Sequence, residues 1–143
     1  MLTCCEEATM QQIEDKSSPV LGYRAVSVLT ALMVLAQPIL AGQFVYGGEP
    51  DMKDVHAVVG QSLHITVLIQ LVLAFIARRT FGIGLVIFNV ILLILVAIQA
   101  GIGFSSDGNV IAIHIPLGTV LLTLAVFAAF LGFFDLRQQR RLD

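Results

Sequence analysis

A chain of 143 residues that is 57% hydrophobic and only 13% charged, with a mean hydropathy of +0.92, does not have the composition of an ordinary soluble domain. The formal net charge of −2 and the lack of a long basic tract offer nothing to nucleic acid. The apolar excess points to a lipid bilayer as the solvent and first partner.

In chain order, the opening MLTCCEEATMQQIEDKSSP is polar and acidic, and residues 1–22 are expected to form a mobile N-terminal extension. Cys4 and Cys5 are adjacent and close to the terminus, which argues against a structural disulfide within the fold. Juxtamembrane palmitoylation is their alternative use.

Four continuous apolar stretches follow, over about residues 23–46, 54–77, 81–104 and 110–134. Each is near or above the ~20 residues a helix needs to cross a bilayer. A β-barrel would instead show many alternating segments of about ten residues. The first stretch is too long for a signal-peptide core and begins after a polar lead. Pro38 frees the carbonyl of Val34 and is expected to bend the first helix; Pro116 does the same for Ala112, beside His114. Asp54 is a candidate cap for the second helix, and Asp107 or Asn109 for the fourth. Interhelical hydrogen bonds account for Gln37, Gln70, Asn89 and Gln99.

Lys16 and Arg24 precede the first span, Arg78 and Arg79 join the second to the third, and Arg137, Arg140 and Arg141 lie in the basic tail, residues 137–143. The other two connections hold Lys53 alone among acids. By the positive-inside rule both termini are cytoplasmic, in a bacterial-type cytoplasmic membrane.

Short connections make successive helices antiparallel neighbours, so the expected fold is an all-α integral membrane four-helix bundle covering residues 23–136. It reads as two pseudo-symmetric helix hairpins. Gln37 and Gly42 late in one helix precede HAVVG (residues 56–60), and Gln99 and Gly103 late in another precede HIPLG (residues 114–118). The second and fourth helices then run parallel and bring His56 and His114 to similar depths near the outer face.

Ionisable residues within spans mark functional sites by default. The plain alternative for each histidine is a neutral imidazole hydrogen-bonded across the bundle. A structural zinc site wants four ligands, and the only cysteines lie on the opposite side of the membrane. A haem iron wants one ligand above and one below, which one histidine from each of two opposed helices supplies. Gly60 and Gly118, at i+4 from the histidines, share their helix face and leave room for the macrocycle; close helix packing would explain them equally. His64 has no counterpart, Leu122 standing at the equivalent position, and lies roughly 80° round the helix from His56. Three roles are open to it: an alternative axial ligand, a hydrogen-bond partner to a haem propionate or another helix (the preferred one), or a ligand to a second group.

QAGIGF, a short outer loop and HIPLG, together with HAVVG after an acidic loop, resemble the haem A synthase family over about residues 25–130. That resemblance implies haem ligation by His56 and His114 in a chain the size of one four-helix half. The family's pattern around its first histidine resembles E-x-x-H-R, whereas Lys53 and Ala57 stand at those positions here. The carboxylate that would serve in haem oxidation is therefore missing, unless Asp51 or Asp54 replaces it. A single half would also have to dimerise to hold two haems.

The expectation is a membrane protein with one haem b per chain on His56 and His114. Filling both axial positions suits electron transfer, with a quinone, a periplasmic carrier or a larger respiratory or photosynthetic complex as partner. A dimeric haem-modifying enzyme and a cofactor-free structural bundle are the alternatives. No glycine-rich phosphate loop is present to support a nucleotide-driven pump.

Overall fold

The computed structural model describes residues 2–104 and 108–134 of the chain. It is helical: α1 (Leu2–Val45), α2 (Met52–Ile76), the single turn α3 (Arg78–Phe81), α4 (Ile83–Gly103) and α5 (Gly108–Phe133). Four helices carry segments long and apolar enough to cross a membrane, Ser18–Val45, Met52–Ile76, Ile83–Gly103 and Ala112–Phe133. The stretch read as a mobile extension is helical here from Leu2 onward and continuous with the first span. Its Glu, Gln, Met, Ala and Lys residues are good helix formers, and adding turns to an existing helix avoids the cost of nucleation.

The four long helices pack in a ring, α1 against α2 and α5, and α4 against α2 and α5. The diagonals of the bundle are therefore α1–α4 and α2–α5. Gly82, at φ +87°, separates α3 from α4, a conformation that a residue with a Cβ would adopt only under strain. α2 begins at Met52 behind Asp51, whose side chain makes no capping hydrogen bond, and Asp54 falls inside the first turn. There its charge favours the helix dipole without acting as the cap. Asn109 likewise lies within the first turn of α5, while Asp107 and the basic tail are outside the described residues. Helix continues through Pro38 and Pro116.

Buried positions recur every three or four residues, the spacing of an inward-facing helical stripe. α1 contributes Tyr23, Ser27, Thr30 and Val34; α2 contributes Leu63, Val67, Gln70 and Ala74; α4 contributes Leu85, Asn89, Leu92 and Val96; α5 contributes Leu121, Ala125 and Ala128. Their central apolar part, from Val34, Leu63, Val96 and Leu121 to Val67, Leu92 and Ala125, is one continuous core. Leu, Ile, Val and Phe side chains point outward along all four helices, as a bundle facing lipid requires.

At one end of this core the stripes turn polar. Gln70 Nε2 donates to Asn89 Oδ1 at 2.7 Å, and Asn89 Nδ2 donates to the Tyr23 hydroxyl at 3.1 Å and to the Leu85 carbonyl at 2.8 Å. The Tyr23 hydroxyl donates in turn to the carbonyl of Ala128 at 3.4 Å. All four long helices are thus joined by one buried chain of hydrogen bonds. Close by, Arg24 Nε donates to the Gly132 carbonyl at 2.7 Å, and its guanidinium lies 5.5 Å from the centre of the Phe133 ring. Arg78 donates to the Phe75 carbonyl and lies 4.2 Å from the centre of the Phe75 ring. Both arginines donate to carbonyls in the last turn of a helix, where a cation is favoured.

Asn89 has three hydrogen-bonding contacts, whereas Gln70 donates once and leaves its Oε1 without a partner. Asn89→Leu is therefore expected to destabilise the bundle by about 1–2 kcal/mol and Gln70→Leu by less, interhelical hydrogen bonds in membranes being worth roughly 0.6 kcal/mol each and orphaned partners adding to the loss. Thermal unfolding in detergent checks the order; equal losses would mean that the chain of bonds is not organised around Asn89.

Candidate functional site

The same stripes continue past the opposite end of the core. Three or four residues at a time, Val34 leads to Gln37; Leu63 to Gly60 and His56; Val96 to Gln99 and Gly103; and Leu121 to Gly118 and His114. Helical spacing alone aims these residues at the bundle interior. His56 sits one turn inside α2 and His114 nearly two turns inside α5. Because α2 and α5 form a diagonal, the two imidazoles meet across the bundle, with ring centroids 6.4 Å apart and planes inclined at 62°.

Each ring is also set against the helix preceding it. His56 Nδ1 lies 3.1 Å from the backbone carbonyl of Gln37. A carbonyl can only accept, so Nδ1 is the donor in this contact and Nε2 is the ring nitrogen not engaged by it. Phe44 packs edge-on against the His56 ring, 5.6 Å between centroids. His114 lies beside the backbone carbonyl of Gln99, although its buried Nδ1 does not complete a hydrogen bond. A Cβ placed on Gly103 would come within 3.0 Å of His114 Cε1 and 3.5 Å of Nδ1, so the missing side chain is what lets this ring lie against α4.

Gly60 and Gly118 face glutamines. A Cβ on Gly60 would stand 3.5 Å from Gln37 Oε1, and one on Gly118 would stand 3.2 Å from Gln99 Nε2. The Gln99 amide donates to the His114 carbonyl at 2.9 Å, an interhelical bond of the expected kind. Gln37 Nε2 and Gln99 Oε1 are buried without partners. The space beside the two glycines, read from sequence as room for a macrocycle, therefore holds these amide side chains.

His64 stands apart. Its Nδ1 contacts the Gln61 carbonyl of its own helix at 3.2 Å. Among the described residues, no three His, Cys, Asp or Glu side chains gather into a metal site. Asp51, Lys53 and Asp54 are exposed. No protein family, curated protein or solved structure matches the chain.

The site is thus two opposed imidazoles, with a glutamine–glycine contact one turn deeper beside each. From sequence, Gln37 and Gln99 read as marks of the repeat and as partners in interhelical hydrogen bonds, not as neighbours of Gly60 and Gly118. Their place on the inward stripes was the available signal; their pairing with Gly60 and Gly118 required the helix packing. The role of Gly103 beneath His114 was also missed.

Gly103→Ala should displace the His114 ring, whereas Gly42→Ala has nothing within 4 Å of its new Cβ. Imidazole NMR signals of nitrogen-labelled protein provide the check: the His114 resonance should move in Gly103→Ala and all three histidines should stay in place in Gly42→Ala. An unchanged His114 signal in Gly103→Ala would contradict the packing described here.

Proposed function

We propose that this chain is a membrane protein that binds one b-type haem between His56 and His114 and serves electron transfer, alone or as an accessory subunit of a larger redox complex. The observation that carries the reading is the meeting of the two imidazoles across the α2–α5 diagonal with 6.4 Å between centroids. Two imidazoles facing each other from opposed helices could hold one iron between them.

The donor set fits such a group. The His56 contact with the Gln37 carbonyl is the backbone partner that commonly orients a ligating histidine and leaves Nε2 free for the metal. His114 stands beside the matching carbonyl of Gln99, and its Nδ1 still lacks a partner. A small adjustment of the ring would give it the same orientation. Bound there, haem would supply a one-electron redox centre. His56 and His114 would hold it, the Gln37 carbonyl orienting His56 and Phe44 packing against the same ring. The glutamine–glycine contacts made in both halves of the chain support the reading of the chain as two related hairpins.

On this reading the histidine end faces away from the cytoplasm and both termini are cytoplasmic. The redox partner reaches the haem at that end: a quinone, a periplasmic carrier or a neighbouring subunit, with a homodimer as one possible assembly. The haem-modifying alternative is less well supported, because the carboxylates flanking Lys53 are exposed. The cofactor-free alternative rests on one specific observation, the filling of the Gly60 and Gly118 spaces by glutamines.

Absorption spectra of the oxidised and dithionite-reduced protein in detergent test the proposal, with His56→Ala, His114→Ala and His64→Ala alongside. Wild type should bind one haem per chain and show sharp reduced bands. These should be lost or altered in the first two variants and kept in His64→Ala. A wild-type protein that stays colourless after haem is supplied would leave the cofactor-free bundle.

A further inference from the structure

Gln37 and Gln99 occupy matching places at the histidine end, and Gln99 Nε2 also donates to the His114 carbonyl at 2.9 Å, a bond that must break if this side chain turns away. Each lies against a glycine on the neighbouring helix, at 3.5 Å for Gly60 and 3.2 Å for Gly118 measured from the position a Cβ would take. Each keeps one buried amide atom without a partner, Nε2 of Gln37 and Oε1 of Gln99. Burying a polar atom unpaired is costly, and more so in an apolar bundle. Leucine or methionine would fill either space without that cost. An amide that fills a notch but leaves half of itself unsatisfied is suited to leaving it.

Resting on the haem reading above, we propose that Gln37 and Gln99 are displaceable plugs. In the haem-free chain they close the spaces at Gly60 and Gly118, and they turn out of them when the macrocycle enters. A haem ligated by His56 and His114 lies between α2 and α5, the two helices that carry these glycines. Gly60 and Gly118 lie four residues, about 6 Å, further along their helices, within reach of a macrocycle held at the histidines. The macrocycle and the two amides therefore claim the same spaces. The glutamine backbones need not move: the His56 contact is to the Gln37 carbonyl, so a side-chain rotation leaves the orientation of the ligand intact. Gln37 and Gln99 are positioning residues that set how readily the site opens.

Binding to a site that is mostly closed is weakened by the fraction of time it is open. Removing the plugs should remove that handicap. The experiment follows uptake of haemin by haem-free full-length protein in detergent, by stopped-flow absorbance and by equilibrium titration. Gln37→Ala/Gln99→Ala should take up haemin about tenfold faster or more tightly than wild type, with an unchanged bis-histidine spectrum and a ratio of one haem per chain. Each single alanine variant should show part of the gain, which keeps the test decisive if the double variant does not fold. Gln37→Leu/Gln99→Leu, which fills the spaces without orphaned amide atoms, should raise the unfolding temperature of the haem-free protein and slow uptake. Full occupancy at wild-type rates and affinity in the alanine variants would overturn the plugs while leaving the haem reading in place. No haemin uptake by wild type or any variant would overturn both.

Discussion

In a bundle whose outward faces are apolar, an inward polar side chain has only the other helices to pair with, and everything else in this structure depends on how that demand is met. The stripes of buried positions run nearly the whole length of each span with the same three-and-four spacing. What changes along them is chemistry. The middle is apolar, one end is a bonded chain of Tyr23, Asn89 and Gln70, and the other is the meeting of His56 with His114. The first polar end is largely satisfied within the chain. The second is not: among the described residues Gln37 Nε2, Gln99 Oε1 and His114 Nδ1 are buried without partners there, and Gln70 Oε1 at the first. Unmet hydrogen-bonding capacity concentrated at one place is a better mark of a site than the presence of polar residues.

The helices and their order were legible because runs of more than twenty apolar residues have few other readings, and short connections leave few packings. The facing of His56 and His114 followed from that topology, since helices two and four must run parallel and both histidines lie early in them. The Tyr23 chain was not legible. A tyrosine at the edge of an apolar run looks like an interface residue, and in helices apolar on every face nothing in the pattern of hydrophobicity distinguishes inward from outward. The polar residues themselves carry that information: Gln70 and Asn89 lie on the inward stripes along with Tyr23, but only the packing shows that they meet. The glutamine–glycine contacts were hidden for a related reason. A glycine in sequence announces room without saying what takes it up.

His64 shows the limit of residue-type arguments. It shares α2 with His56 and is two turns away, yet one ring contacts the neighbouring helix and the other its own. The difference is angular: eight residues carry a side chain about 80° round the helix, enough to take it off the inward stripe that passes through His56, Gly60 and Leu63. The structure sets His56 and His114 ring to ring and His64 against its own helix.

The separation of the two polar ends bears on what kind of process the bundle can support. From His56 to Gln70 along α2 is about 21 Å at 1.5 Å per residue, and the interval is filled by the core of Val34, Leu63, Val67, Leu92, Val96 and Leu121. A proton moving through the bundle would need a continuous series of polar groups or waters, and this belt interrupts it. Electron transfer confined to the histidine end makes no such demand, because it needs a held cofactor and an approach for a partner, not a polar path to the far side. The Tyr23–Asn89–Gln70 chain then belongs to the architecture: it ties four helices together where Arg24 and Arg78 also close two helix ends. With that end bonded and the middle packed, the histidine end is where side chains can rearrange without loosening the fold, and that is where the amides at Gly60 and Gly118 sit.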